Sequence, residues 1–196
     1  MKIKKYLFIF LIYFLSFGTA QSIEPDVFVQ STVNRASKAL SENISRGEKI
    51  IILKKIAKDT VDIKGIGFYT LGSARKNLND DQKQKYLKIF EQYFLKSFSS
   101  RLAEYTNPEI NVFDKEVLSE NYTIVNSLLK GTSERPEVKI DWRIYTKNSE
   151  NPLIRDLIIE GLSLARTQKE EFTSILNSND NDINALFASL EKFIKN

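Results

Sequence analysis

Two carboxylates, Asp156 and Glu160, stand in the otherwise apolar stretch LIRDLIIEGLSLARTQKEEF, residues 153–172. A spacing of four places two side chains on one face of a helix, and it also places them on one face of a strand. A close pair of carboxylates can work as general acid and general base. The pair is therefore a candidate for acid/base chemistry, and the alternative is a structural role in ion pairs on a solvated face.

The residue types that usually accompany such chemistry are missing from the chain. There is no histidine and no cysteine, which removes the commonest general base, the commonest metal ligand, thiolate nucleophiles and disulfides. The acidic residues show neither an EF-hand pattern nor zinc-ligand spacing, so we predict no metal site. The sequence favours the structural role for a charged set on neighbouring strands: Asp141, Asp156, Glu160, Lys139, Arg143 and Arg155.

Two kinds of apolar pattern predict the elements that position these residues. Before Pro108 the apolar residues recur at helical spacing, and after it they alternate as in half-buried strands. The predicted helices cover 25–45, which Gly47 breaks, then 49–59, a short helix or turn at 62–72, and a long helix from the N-cap Asn79 to about Glu104. The predicted strands cover 110–118, 122–130, 138–145, and Leu153 to Leu164 with Gly161 as a bulge or a point of close approach.

The last part of the chain returns to helical patterns. Thr167 and Glu170 form a T-x-x-E capping box, which predicts a helix start. A final helix over 183–194 is predicted to turn four apolar residues inward, Leu186, Phe187, Leu190 and Phe193. Helices first, then an antiparallel meander of about four strands, then helices again indicate the α+β class.

The first twenty residues have the features of a secretory signal peptide. Three lysines precede the apolar run Tyr6–Phe17, and Gly18-Thr19-Ala20 offers a small-x-small cleavage site. We expect cleavage after Ala20, because the run is shorter than the ~20 residues that span a bilayer; an uncleaved anchor is the alternative. Residues 21–196 are then expected to form one domain.

Charge argues against a nucleic-acid partner. The chain carries 29 basic and 25 acidic residues, and removal of the three lysines in residues 1–20 leaves 26 basic residues against 25, a net charge of +1. A nearly neutral domain lacks the electrostatic footprint of a nucleic-acid-binding protein. The cluster Lys54, Lys55 and Lys58 could meet lipid head groups or an acidic partner, but a solvated helix face is the simpler interpretation.

The long helix over 79–104 carries more aromatic side chains than one buried stripe needs. Phe90, Tyr93, Phe94 and Phe98 would face a sheet whose apolar side is already wide. A sheet and a long helix in this arrangement can leave a concavity for an apolar ligand. An ordinary filled core is the alternative.

Several stretches together resemble the MlaC family, also called the toluene-tolerance family of periplasmic phospholipid-transfer proteins. Residues 61–105 resemble its "LG … L…Q…F…F…L…Y…L" block, and VKIDWRI (138–144) resembles its "V-x-V-x-Y-R-L" strand. RDLIIEGLSLARTQKEEFTSIL (155–176) resembles its "YDVVVEGVSLV…YR.EF..IL" signature, and INALFASLEKF (183–193) resembles its closing helix.

The resemblance implies an NTF2-like fold, a curved antiparallel sheet wrapped by helices around an apolar pocket. It implies a periplasmic carrier that shuttles glycerophospholipid between an outer-membrane lipoprotein complex and an inner-membrane ABC transporter with an MCE subunit, and so maintains outer-membrane lipid asymmetry. It implies lipid as cargo, no cofactor and no catalysis. An NTF2-like periplasmic enzyme that uses Asp156 or Glu160, and an interaction protein with a filled core, are the competing hypotheses.

Facing positions on the sheet and helices then predict which residues line the pocket. The predicted lipid-binding residues are Phe68, Leu71, Phe90, Phe94, Phe98, Val138, Ile140, Trp142, Ile144, Leu157, Ile159 and Phe172.

Overall fold

The computed structural model describes residues 22–133 and 135–196. The predicted signal peptide, residues 1–20, lies outside the described residues. Within the described ranges, no helix is both long enough and apolar enough to span a bilayer.

Two helices pack together at the start of the described chain, α1 (Pro25–Ser41) and α2 (Arg46–Thr60). The prediction that Gly47 breaks a helix is wrong, because Gly47 lies in the first turn of α2. The Ser45 side chain accepts a hydrogen bond from the Glu48 N–H, and the Glu48 carboxylate accepts one from the Ser45 N–H. This capping box satisfies two N–H groups at the helix start and fixes the start ahead of the glycine.

Three further elements lead to the sheet: α3 (Ile63–Thr70), a 3-10 helix (Gly72–Asn77) and α4 (Asp80–Leu102). Asn79 forms the predicted N-cap of α4, and Gln82 completes a capping box with it. The aromatic side chains recur every three or four residues, which puts them on one stripe of α4. The predicted long helix is confirmed, and it ends two residues before the predicted Glu104.

The sheet has five antiparallel strands in sequence order. Its strands are β1 (Ile110–Ser119), β2 (Tyr122–Leu129), β3 (Val138–Tyr145), β4 (Leu153–Ile159) and β5 (Leu162–Ser163). The α+β class and the antiparallel sheet are confirmed. The count of about four strands is one too low, because the predicted fourth strand is a hairpin of two strands.

The hairpin turn consists of Glu160 and Gly161, with φ values of +49° and +82°. Two consecutive positive φ values give the twist that a two-residue hairpin needs, and a Cβ at Gly161 would meet no other atom within 4 Å. Gly161 is therefore a turn residue, and the predicted bulge or close approach is wrong. Helix α5 (Leu164–Asn177) begins directly after β5 with Ser163 as its N-cap, and α6 (Ile183–Lys195) follows. The predicted capping box at Thr167 is also wrong, because Thr167 lies within α5 and its hydroxyl donates to the Ser163 carbonyl.

The helices cover one face of the sheet, which we call the inner face. Val125, Trp142 and Ile144 lie on it and belong to the hydrophobic core, together with residues from α1 to α6. Helix α1 packs against β1 and β2, whereas α3 and α5 pack against β4. On β3 the opposite face carries Lys139, Asp141, Arg143 and Tyr145, as the alternation predicts.

Candidate functional site

Asp156 is buried and serves as a structural acceptor. One carboxylate oxygen accepts a hydrogen bond from the Ser163 hydroxyl at 2.6 Å, and the other accepts one from the Ala165 N–H at 3.0 Å. Ser163 is the N-cap of α5, so the carboxylate ties β4 to the start of that helix. A carboxylate near the first helical N–H groups is also favoured by the helix dipole.

The other two carboxylates have partners of their own. Glu160 lies exposed in the hairpin turn and accepts a hydrogen bond from the Lys139 N–H. Asp141 accepts one from the Asn126 amide at 2.7 Å and lies 3.4 Å from the Lys139 ammonium. The geometry assigns each carboxylate to framework and does not assemble them into one site.

The inner face changes from fully buried to half-buried along the strands. On β3, Ile144 is 0% exposed and Val138 is half-buried. On β4, Ile154 is buried, whereas Leu157 and Ile159 are half-buried. The strands pair Trp142 with Leu157 and Ile140 with Ile159, and directly opposed residues point to the same face. The inner face is therefore closed at the Ile144 end and less covered at the other.

Helix α4 shows the same gradient. Tyr86 and Phe90 are buried, whereas Phe94 and Phe98, one and two turns further on, are half-buried. The Phe94 and Phe98 rings stack with centroids 5.6 Å apart. Phe172 of α5 meets Phe90 edge-on at 6.2 Å, so α5 closes the side of this aromatic stripe.

The half-buried ends of both walls lie at the same end of the molecule. The Arg135 guanidinium lies 5.1 Å from the centre of the Tyr105 ring, which ties the β2–β3 connection to the segment after α4. Val138 begins β3 directly after this connection, and Phe98 lies in the last turns of α4. We call the apolar region between the inner face and α4 the seam, and its half-buried end the open end.

Polar groups within the seam are satisfied by one another. The Trp142 indole N–H donates to the Ser127 hydroxyl at 2.8 Å, and that hydroxyl donates to the Ile140 carbonyl. The Tyr86 and Thr70 hydroxyls form a buried hydrogen bond of 2.8 Å. Burial raises the pKa of the Tyr86 phenol well above its ordinary value. The hydroxyls of Ser127, Thr70 and Tyr86 are therefore all hydrogen-bonded, and they do not interrupt the apolar surface of the seam.

The predicted lining residues fall into three groups according to their burial and packing. Six belong to the buried core: Leu71, Phe90, Ile140, Trp142, Ile144 and Phe172. Five are half-buried and pack against that core: Phe68, Phe94, Phe98, Val138 and Leu157. Ile159 is half-buried opposite Ile140. Their role in ligand binding stays a prediction.

The sequence analysis did not identify Ser127 as the acceptor for the Trp142 indole, and it turned Phe193 toward the core. Ser127 looks like one more polar strand residue, and only the need of the Trp142 indole for an acceptor could have indicated it. Phe193 was predicted to point inward, but it is 41% exposed and its ring lies 4.9 Å from the Tyr93 ring. It covers the edge of the aromatic stripe.

The described surface also has a polar depression, but it shows no candidate metal site. A depression of about 650 Å³ is lined by Tyr69 and by polar or charged residues of α5 such as Arg166, Lys169 and Glu170, so its lining does not suit an apolar chain. Among the described residues, no three acidic side chains come together as metal ligands would.

Comparisons with known proteins agree with this architecture. The structure superposes on the phospholipid-binding protein from Ralstonia solanacearum, solved in complex with a phospholipid, with a TM-score of 0.75 and 17% identity over 88% of this chain and 98% of that chain. At this identity the likeness shows a shared fold. No curated protein matches the sequence significantly. The model of the family described as "MlaC protein" matches residues 29–192, which is most of the sequence, and the chain therefore belongs to the MlaC family.

Proposed function

We propose that this protein binds a glycerophospholipid in the seam and carries it through the periplasm. The observation that carries the proposal is the apolar seam, which is closed at the Ile144 end and half-buried at the Phe98 and Val138 end. The family match and the phospholipid seen in the structural neighbour support the choice of ligand.

The energetics suit a carrier. Each CH₂ group moved out of water gains ~0.8 kcal/mol, so burial of a long acyl chain contributes on the order of 10 kcal/mol. Side chains of the two walls belong to one hydrophobic core in this structure, so an entering chain has to displace part of that core and replace its contacts with its own. Phe94 and Phe98 at the open end are the first aromatic side chains that it would meet on α4.

The wider role in our proposal follows the family. After export and removal of residues 1–20, the single domain 21–196 receives phospholipid from one membrane complex and delivers it to another. These complexes are an outer-membrane lipoprotein complex and an inner-membrane ABC transporter with an MCE subunit, and the result is an asymmetric outer membrane. The lipid is cargo, and no cofactor takes part. Acid/base catalysis by Asp156 and Glu160 gains no support from their separate partners.

The single tryptophan of the chain gives a direct test. Trp142 lies on the inner face, so phospholipids with a doxyl quencher on the acyl chain should quench its fluorescence in protein purified from the periplasm. A water-soluble quencher serves as the matched control and should have little access to this buried ring. Unchanged Trp142 fluorescence at saturating doxyl lipid would count against binding in the seam.

A further inference from the structure

Two large apolar side chains are exposed at the edge of the sheet, Leu162 of β5 and Leu164, the first residue of α5. Leu162 is 59% exposed and Leu164 is 40% exposed. Single exposed leucines are common on protein surfaces and need no explanation. Leu162 differs from other exposed apolar residues because of where the sheet register places it, and Leu164 follows two residues later, at the start of α5.

The register makes Leu162 a continuation of the inner face. Ser127 pairs with Ile140, Ile140 pairs with Ile159, and Ile159 pairs with Leu162. Directly opposed residues on antiparallel strands lie on the same face, so these four form one row across β2, β3, β4 and β5. Ser127 is 0% exposed, Ile140 is 8% exposed, Ile159 is half-buried and Leu162 is 59% exposed. The apolar lining thus reaches solvent at β5.

The same segment is held firmly in place. The turn at Glu160 and Gly161 has the two positive φ values of a tight hairpin. Ser163 lies between the two leucines, donates to Asp156 and caps α5 by accepting a hydrogen bond from the Arg166 N–H. The buried carboxylate therefore fixes the positions of Leu162 and Leu164, and it is a positioning residue for them.

We propose that Leu162 and Leu164 form an apolar lip that contacts the acyl chains of the phospholipid as they enter and leave the seam. This inference rests on the proposed function. The occupant is the acyl chain because the row Ile140–Ile159–Leu162 is uninterrupted, so a chain that lies on the inner face extends over the lip. A lip of this kind shields part of the chain from water while the rest moves to or from a membrane or a partner.

A site-specific label tests the lip, since the chain contains no cysteine. Leu162→Cys carries an environment-sensitive fluorophore, and Ile51→Cys on α2, at a residue 68% exposed, is the matched control. With phospholipids that bear a doxyl group on the acyl chain, we expect quenching of the label at position 162 and none at position 51. Leu164→Cys repeats the test at the second residue of the lip.

The outcomes separate this inference from the proposed function. Quenching of Trp142 without quenching of the labels at 162 and 164 would overturn the lip and leave lipid binding in the seam intact. If neither Trp142 nor the labels are quenched, the proposed function itself fails. Contact of the lip with a partner protein alone would leave both labels unquenched in the isolated carrier, and it would therefore also overturn the inference.

Kinetics supply a second readout. Leu162→Ser combined with Leu164→Ser should slow transfer of fluorescent phospholipid from vesicles to the protein several-fold. Ile51→Ser is the control. A transfer rate equal to that of Ile51→Ser would contradict a role of the lip in entry.

Discussion

Asp156 of β4 and Ser163, the N-cap of α5, are joined by a part-buried hydrogen bond of 2.6 Å from the serine hydroxyl to the carboxylate. The bond links the sheet to the helix that closes one side of the seam. The Asp156 carboxylate, which the sequence presented as a candidate for acid/base chemistry, therefore has a structural role.

Replacement of Asp156 should therefore affect stability. Asp156→Ala leaves the Ser163 hydroxyl and the buried Ala165 N–H without their acceptor, and we expect the free energy of unfolding to fall by about 2–3 kcal/mol. Glu160→Ala is the control, because Glu160 is exposed and its loss should cost less than about 1 kcal/mol. Urea unfolding followed by circular dichroism measures both. Equal, small effects of the two variants would contradict the structural role.

Charge in the seam should abolish lipid loading. Phe94→Asp places a carboxylate on the half-buried stripe of α4, where an acyl chain offers it no hydrogen bond, and burial of an unpaired charge is costly. The matched control is Phe113→Asp on β1, because Phe113 is 63% exposed. Phospholipid per protein, measured by mass spectrometry of extracts, should fall sharply only for Phe94→Asp. Full loading of a folded Phe94→Asp protein would exclude this stripe as a binding wall.

The start of α3 depends on a cluster around Asp62. One Asp62 oxygen accepts a hydrogen bond from the Arg155 Nε at 2.7 Å and lies 2.7 Å from a terminal guanidinium nitrogen of the same side chain, and the other oxygen caps α3 at the Gly65 N–H. The Arg155 guanidinium also lies 3.7 Å from the centre of the Tyr145 ring. Asp62 thus joins a helix start to the sheet.

Asp62→Ala should lower the free energy of unfolding by about 2 kcal/mol, since it removes a cap and takes from the partly buried Arg155 its carboxylate partner. Asp59→Ala is the control, because the Arg35–Asp59 pair is nearly half exposed and such pairs contribute ~0.2–1 kcal/mol. Chemical denaturation should rank the two variants in this order. The reverse order would show that the cluster does not hold α3.

Stability should fall at alkaline pH. Burial raises the pKa of Tyr86, and burial with the nearby Glu171 carboxylate raises the pKa of Tyr93. Above pH ~10 the unfolded chain releases phenol protons that the folded chain keeps, so the free energy of unfolding decreases as the pH rises through that range. The chain has no histidine, so between about pH 6 and 9 we expect little change.

Unfolding midpoints measured from pH 6 to 11 check this profile. Tyr86→Phe should lose part of the alkaline decrease, whatever its stability at neutral pH. An alkaline decrease of the same size in Tyr86→Phe would mean that Tyr86 does not cause it.

Periodic patterns predicted the elements that are stabilised locally. The helix after Asn79 and the strand Val138–Tyr145 form as predicted, because caps and alternation are properties of neighbouring residues. The sequence analysis predicted the start of α5 at Thr167, whereas the helix is capped by Ser163. The choice depends on Asp156, which contacts Ser163 only after the hairpin has formed.

The seam was predicted only in part, for a similar reason. Alternation assigns Ile144 and Val138 to one face of β3, but it does not distinguish the buried residue from the half-buried one. That difference depends on how α1, α3 and α5 cover the sheet. The position of Leu162 at the end of the inner face could not be predicted from the sequence either. The row Ile140–Ile159–Leu162 forms only when β3, β4 and β5 pair.

The central claim is that the seam holds phospholipid, and native mass spectrometry of the protein purified from bacteria tests it most directly. We predict a complex whose added mass, released and identified in an organic extract, corresponds to about one phospholipid per chain. A protein that is folded, fully packed and free of lipid after purification from bacteria would contradict the account.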